Sequence, residues 1–456
     1  MPGVDYSSCG ENTNDIAILG CGIIGLCTAY YLTESGATDP KTIHLIDSSP
    51  ELFQCASGLA AGFLSADCTY GKLPSRLGWA RRVIYTLIAL SDYKSGFAPS
   101  VSSLGALSFK LHADLANAHS GRSTWGYSQS TGISLSQDSE SAIGGSGEDW
   151  LENGTSRAQL ANHNKPWEEQ AAGPEWLRRT QEGIMEVISR DGTTAQIDPL
   201  RFCQWLLKEV KERGVRIHQP ARATAIIKDA DDVLCGLRIS TSDDAESDTE
   251  LPCTRLVITS GAWSPRVFST LFPSSKARIP VSSLAGHSLL VRNPHHKPEE
   301  LDKEVCHAVF ATDTLGFSPE WFARLGGELY LAGLNSTSIP LPDVATDVKA
   351  NDKAIAQLRQ CAKAMMMNVP GKDMEVLREG LCFRPVTSSG RPIVSRIPDD
   401  KLGGTKTKDG ENGGVYIAAG HGAWGISHAP GTGLVLSELI EGRGSSAKIE
   451  ALQLPS

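Results

Sequence analysis

Neither a CxxC pair nor an HExxH motif occurs in the chain, so the usual signatures of a protein-held metal are missing and no metal site is expected. The adjacent His295 and His296 sit in a polar stretch with Pro and Lys, where solvated histidines are the simpler explanation. Positive charge is scarce: 43 Lys and Arg against 52 Asp and Glu leave a net charge of −9, and no basic stripe appears. That excludes a nucleic acid or an anionic membrane surface as partner, because either needs a clustered positive field. The 11 cysteines are odd in number and scattered from Cys9 to Cys382, which indicates no disulfide framework and points to a reducing compartment. Met1–Asp15 is polar and carries acids, unlike a secretory leader, and the apolar run after it is broken by glycines, unlike a membrane span. Leu452–Ser456 is not a peroxisomal address. A cytoplasmic protein is expected, with no repeat of solenoid length.

What the chain does contain is organised around Ile16–Leu32. Ile16–Leu19 reads as a buried strand, Gly20, Gly22 and Gly25 as a tight turn, and Ile24–Leu32 as a helix. The first glycine permits the turn, the second lets backbone approach a pyrophosphate, and the third lets helix and strand pack closely. The phosphates then meet the amides of Ile23, Ile24 and their neighbours at the helix N-terminus. A second strand, Thr42–Ile46, ends at Asp47, 22 positions beyond Gly25 (47 minus 25). Such an acid accepts the hydroxyls of an adenosine ribose and repels a 2′-phosphate. Together these predict a dinucleotide site.

Further along, Cys55–Ser65 is a run of small residues that suits a flexible loop or a backbone lying against a flat ligand. Gly78–Leu90 reads as an amphipathic helix with Arg81 and Arg82 outward. From Ser91 to Thr180 the composition changes, and Ser128–Gly147 looks like a surface insertion. Order returns with a helix at Leu200–Arg213, stopped by Gly214, and strands at Val215–His218, Ala221–Lys228 and Val233–Ser240. Arg255–Thr259 delivers Ser260, Gly261, Ala262 and Trp263 to a turn, where open α/β sheets bind ligands. Strands are predicted in Ile279–Val291, His307–Phe322 and Glu328–Leu334, and a helix at Asp352–Met367. Val415–Ala419 then runs into Gly420–Gly425 and a helix to Ile440. The simplest architecture is a dinucleotide domain interrupted twice by a second domain.

The opening turn with Asp47, the Ala56–Ser65 run, Asp198-Pro199, Leu256–Pro265, Arg384-Pro385 and Gly420–Gly433 together resemble the FAD-dependent oxidoreductases of the D-amino acid oxidase, glycine oxidase and sarcosine oxidase superfamily. Within it, Thr194–Pro199, Cys382–Pro385 and Trp424–Ser427 are most similar to a fungal branch of oxidoreductases without a settled substrate. The resemblance implies an α/β fold with an α+β second domain: a Rossmann-like FAD-binding domain (1–90, 191–275, 377–456) interrupted by a mixed-sheet substrate-binding domain (91–190, 276–376). It implies FAD held by Gly20, Gly22, Ile23, Ile24 and Gly25 at the pyrophosphate, by Asp47 and Ser48 at the ribose, by Ser57, and with Ala223 toward the adenine. Ala60, Ala61, Gly62 and Phe63 would pass the isoalloxazine ring, with Ser260, Gly261 and Trp263 nearby. Gly420, Gly422, Gly425 and Ile426 would aim helix amides at the ring.

The implied chemistry is hydride transfer from the amine-bearing carbon of a small amine or amino acid to the flavin, giving an imine, with molecular oxygen reoxidising the cofactor. A tailoring enzyme acting on a larger metabolite fits the same pattern. The alternatives are a dehydrogenase using a non-oxygen acceptor, since no lysine for oxygen activation is evident, and a flavin-bound regulatory protein with little turnover. Arg384 stands where related enzymes grip a substrate carboxylate, or closes a structural ion pair. His421 adds a charge near the ring or serves as a hydrogen-bonded structural group. Trp263, Trp321 and Trp424 wall the cavity or fill the core, as do Tyr127 and Tyr330. Cys382 matches the cysteine that some relatives join to the flavin, an alternative to non-covalent binding that is not the preferred one.

Overall fold

The computed structural model describes residues 14–66, 99–136, 173–178, 184–189, 192–241, 248–298, 304–311 and 317–455. The expected helix at 78–90 lies outside these residues, as does the expected insertion from 137 onward. Among the described residues three sheets form.

The first sheet is built from β1 (Ile16–Leu19), β2 (Ile43–Ile46), β7 (Arg216–His218), β11 (Arg255–Ile258), β17 (Ile393–Ile397) and β18 (Gly414–Ala419), in the order β17-β18-β11-β1-β2-β7. All pairs are parallel except β17 with β18. Every residue of β1, β2, β11 and β18 is buried, as expected of parallel strands covered on both faces. On one face lie α1 (Ile23–Glu34) and α8 (Gly425–Ile440), which approach so closely that a Cβ on Gly433 would meet the Cys27 carbonyl carbon at 2.5 Å. α5 (Pro199–Glu212) packs beside α1. Asp198 caps it through the amides of Leu200 and Arg201, worth about 1 kcal/mol, and Pro199 supplies the preset φ of the first turn. Gly214, at φ 105°, follows its end.

A three-stranded antiparallel sheet, β8 (Arg222–Lys228), β9 (Leu234–Ser240) and β10 (Asp248–Pro252), extends this unit. The nine-stranded sheet forms the other layer. It contains β3 (Phe63–Ser65), β4 (Ser128–Ser136), β5 (Ile184–Val187), β6 (Thr194–Gln196), β12 (Ser282–Arg292), β13 (Cys306–Ala311), β14 (Glu320–Arg324), β15 (Glu328–Ser336) and β16 (Val376–Val386). Its order is β16-β12-β15-β14-β13-β4-β6-β3, with β5 on β4. Helix α7 (Asp352–Met365), capped by Asn351, covers its outer face through Ile355, Leu358, Cys361 and Met365.

Several expectations are corrected. Cys55–Ser65 is not a loop throughout: it holds a single helical turn, α2 (Ala56–Leu59), and then β3. Ser128–Ser136 is not an insertion but a strand between β13 and β6, its small residues accommodating close neighbours on both sides. Helix α3 (Pro99–Ala118) and the short α4 (Gly121–Trp125) place Val101, Leu104, Leu115 and Trp125 in one core with α1, α5 and α8, rather than with the nine-stranded sheet. Conversely β6 and β16, expected in the cofactor domain, pair into that sheet. Composition does not carry this partition, since both layers draw on the same apolar residues.

Candidate active site

A cavity of about 410 Å³ lies between the parallel sheet and the inner face of the nine-stranded sheet. Gly20, at φ 113°, turns the chain out of β1; its amide donates to Ile46 O at 2.8 Å, and a Cβ there would come within 2.7 Å of Thr259 O. Gly25 faces away from the cavity, where a Cβ would strike Gly20 O at 2.1 Å, and it is the close-packing glycine of the turn. Gly22, Ile23 and Ile24 line the cavity, and α1 starts at Gly22 without a side-chain cap. Ser57 Oγ accepts from the Ile23 amide at 3.0 Å. Asp47 takes the Cys21 amide on Oδ2 and the Ser49 amide on Oδ1, at 2.8 and 2.9 Å. Burial raises its carboxyl above the usual range, and the two amides oppose that. Ser48 and Ala223 line the same end.

Ala60, Ala61, Gly62 and Phe63 form one wall, with Ser260, Gly261 and Trp263 near them. Trp263 donates from Nε1 to Pro342 O at 2.8 Å, and Arg266 pairs with Asp343 at 2.7 Å, so the loop after β15 is tied to α6 (Ser264–Leu271) over the cavity. Gly422, Ala423, Gly425 and Ile426 line the far end, where α8 begins without a side-chain cap. Gly420 does not reach the cavity: at φ 80° its Cα is packed against Thr387, where a Cβ would meet Cγ2 at 2.5 Å.

His421 lines the cavity but does not bring a charge. Burial drops its pKa to about 4, so the ring is neutral at pH 7, and Nε2 meets Thr432 Oγ1 at 3.1 Å. Trp424 is displaced from the wall as well; it packs on the α1/α8 core and stacks on His428 with ring centroids 6.3 Å apart. Trp321 points to the opposite face of its strand, against Trp176 and Met365, because alternate strand residues face opposite ways and Phe322 takes the cavity side. Tyr127 belongs to the α1/α5 core.

The inner face of the nine-stranded sheet presents Glu320, Phe322, Tyr330, Ala332, Cys382 and Arg384 to the cavity. Arg384 donates to Asn335 Oδ1 at 2.5 Å, and no carboxylate of the described residues pairs with it, so the expected structural ion pair is absent among them. Burial pushes the Cys382 thiol up against the opposing pull of Arg384 and Arg378. Residues that sequence reasoning passed over include Phe322 and Glu320 on β14, and Arg324, Arg378 and Gln196, which hold the backbone of the 58–61 wall. Only hydrogen bonds across more than 100 positions bring Arg324, Arg378 and Gln196 to that backbone, and no local pattern signals them.

Residues 15–439 match the family described as FAD dependent oxidoreductase, the DAO family. The chain belongs to this family. FAD is therefore its cofactor, and the chain is an FAD-dependent oxidoreductase. A Schizosaccharomyces pombe protein with a provisional oxidoreductase name is 27% identical over 465 residues, covering 97% of this chain and 98% of that one. A Saccharomyces cerevisiae protein with a similar provisional name is 24% identical, covering 97% and 94%. Among solved structures, the glycine oxidase of Geobacillus kaustophilus superposes with a TM-score of 0.63 at 18% identity over 97% of this chain and 98% of that chain, a likeness of fold. No helix among the described residues is long and apolar enough to cross a membrane.

The cavity fits an FAD. Two helices, α1 and α8, open onto it: Ser57 Oγ takes only the Ile23 amide of α1 and no side chain caps α8, which suits an anionic or carbonyl ligand. A buried acid at one end still has lone pairs to accept hydroxyls.

Proposed function

We propose that this protein oxidises a small amine or amino acid at the carbon bearing the nitrogen, with Arg384 gripping a substrate carboxylate. The observation that carries the reading is the state of Arg384: a guanidinium on the cavity wall whose partner is the neutral Asn335 amide, leaving its charge and further N–H groups for an anion. When bound, FAD supplies the two-electron acceptor. The pyrophosphate is assigned to the turn at Gly20–Ile24, the ribose to Asp47, and the ring to the space between Ala60–Phe63 and the Gly422–Ile426 turn. Phe322, Tyr330 and Ala332 then exclude water above the reacting carbon, and Arg384 sets the substrate's direction, so that catalysis is mainly positioning. Neutral His421 serves as a hydrogen-bonding support for the α8 turn.

The test is anaerobic flavin bleaching with a panel of amines, amino acids and N-methyl amino acids, run alongside Arg384→Ala. Bleaching by carboxylated members, lost in the variant, is the expected result. If no member bleaches the flavin, the oxidase reading fails and the regulatory reading replaces it. One observation favours a second acceptor: the described cavity wall holds no lysine of the kind used for oxygen activation. Recovery of colour in air within seconds supports oxygen as acceptor, whereas slow recovery assigns a dehydrogenase.

A further inference from the structure

Four consecutive carbonyls leading into the cavity wall, Gly58 to Ala61, all accept from side chains of the nine-stranded sheet. Arg378 Nη1 donates to Gly58 O at 3.2 Å, the Tyr330 hydroxyl to Leu59 O at 2.8 Å, and Arg324 Nη2 to Ala60 O at 2.6 Å. Ala61 O takes two donors, Gln196 Nε2 at 2.7 Å and Arg324 Nε at 3.2 Å. These donors come from β16, β15, β14 and β6. In a trans peptide the N–H points opposite to the C=O, so carbonyls turned to the sheet direct the amides of Ala60, Ala61 and Gly62 the other way, into the cavity these residues line. No carbonyl or side chain of the described residues accepts from those amides.

Charge reinforces the arrangement. Arg324 is 3% exposed and lies over the Tyr330 ring, 5.3 Å from its centroid. Its carboxylate neighbours stand farther off than the carbonyls it holds, Glu328 at 3.7 Å and Asp198 at 3.9 Å from Nη1. The guanidinium therefore meets the wall through Nε and Nη2, and the two carboxylates lie nearest its third nitrogen, Nη1. Arg378 adds a second guanidinium whose buried Nη2 has no partner among the described residues.

We infer that Arg324 is a positioning residue that aims the Ala60–Gly62 amides at the flavin and, with Arg378 behind the wall, stabilises negative charge on the reduced ring. The effect acts on bound FAD and does not depend on which substrate the enzyme takes. It therefore stands or falls apart from the amine-oxidation reading.

The experiment uses the FAD-loaded enzyme without substrate, comparing Arg324→Gln and Arg324→Lys with the parent by sulfite titration and by flavin midpoint potential. Sulfite leaves negative charge on the ring, so it reads the same stabilisation. Arg324→Gln is expected to weaken sulfite binding about tenfold, equivalent to a potential about 30 mV lower for a two-electron couple. Arg324→Lys, which keeps the charge but loses the fork, is expected to retain most of both. Parental sulfite affinity and potential in Arg324→Gln overturn the inference. So do equal losses in Gln and Lys, which mark the residue as merely structural. If Arg324→Gln does not retain FAD, Arg378→Gln carries the decision by the same two readouts, and parental values there overturn it.

Discussion

The Arg384 guanidinium lies across Gly286 of the adjacent strand and donates to Asn335 on the strand beyond. A Cβ on Gly286 would meet Arg384 Cζ and Nη2 at 3.1 Å and Nη1 at 3.2 Å, so the absence of a side chain there lets the fork lie flat on the sheet. Gly286→Ala should displace the guanidinium by a few tenths of an ångström and misalign its N–H pair. We expect a several-fold rise in KM for carboxylated substrates, with FAD content unchanged. Asn335→Ala should act in the same direction, because a charged hydrogen bond contributes about 1.5–3 kcal/mol. Anaerobic substrate titration measures both, and parental affinity in both variants removes the clamp.

The opening turn gives a sharper outcome. A Cβ at Gly25 would sit 2.1 Å from Gly20 O and 2.8 Å from Thr259 Oγ1, and the first of these is backbone that cannot swing aside. Gly25→Ala should destabilise the fold by more than about 2 kcal/mol and yield protein largely free of FAD. At Gly422 nothing lies within 4 Å of a Cβ, and Gly422→Ala should show only the strain of φ 57°, about 1–2 kcal/mol. Thermal midpoints and flavin absorbance of the two purified variants check the contrast, and equal behaviour refutes it.

Acid should unfold this protein through buried histidines. Burial lowers His112 and His421 to about 4 and His428 to about 3. The unfolded chain binds these protons near pH 6.5, so their stability contribution is full above 6.5 and is lost as pH falls from there toward 4 and 3. The slope reaches about 1.4 kcal/mol per pH unit for each histidine. His112 has a structural reason to be there: Pro430 has no N–H to give the Ile426 carbonyl four residues earlier, and neutral His112 donates to it from Nε2 at 2.9 Å. His112→Gln should reduce the proton uptake on unfolding between pH 4 and 6.5 by about one. Denaturant midpoints across that range measure it, and an unchanged slope contradicts the assignment.

Covalent attachment through Cys382 is not expected. A thioether needs a thiolate, and burial holds this thiol above its ordinary range. Acid precipitation should release all the yellow colour into the supernatant, and Cys382→Ala should bind FAD at the parental ratio. Colour retained in the pellet would reverse this conclusion.

The chain by itself determined those features whose physics is local. The strand, glycine turn and helix at Ile16–Glu34 follow from apolar runs and backbone freedom within a few residues, and Asp47 follows from the short second strand that ends beside it. The helix after Asp198 and the turns at Gly261 and Gly422 were legible for the same reason. Tertiary structure alone decided what depends on pairing between distant strands. It placed Phe322 rather than Trp321 on the cavity face, since a strand of period two is settled by the sheet it joins and both residues are apolar. It carried helix α3 into the cofactor layer and turned Ser128–Ser136 into a strand between two neighbours. It also made His421 neutral and set Arg324 against Ala60 across 264 positions, because burial and long-range hydrogen bonding are properties of the packed whole.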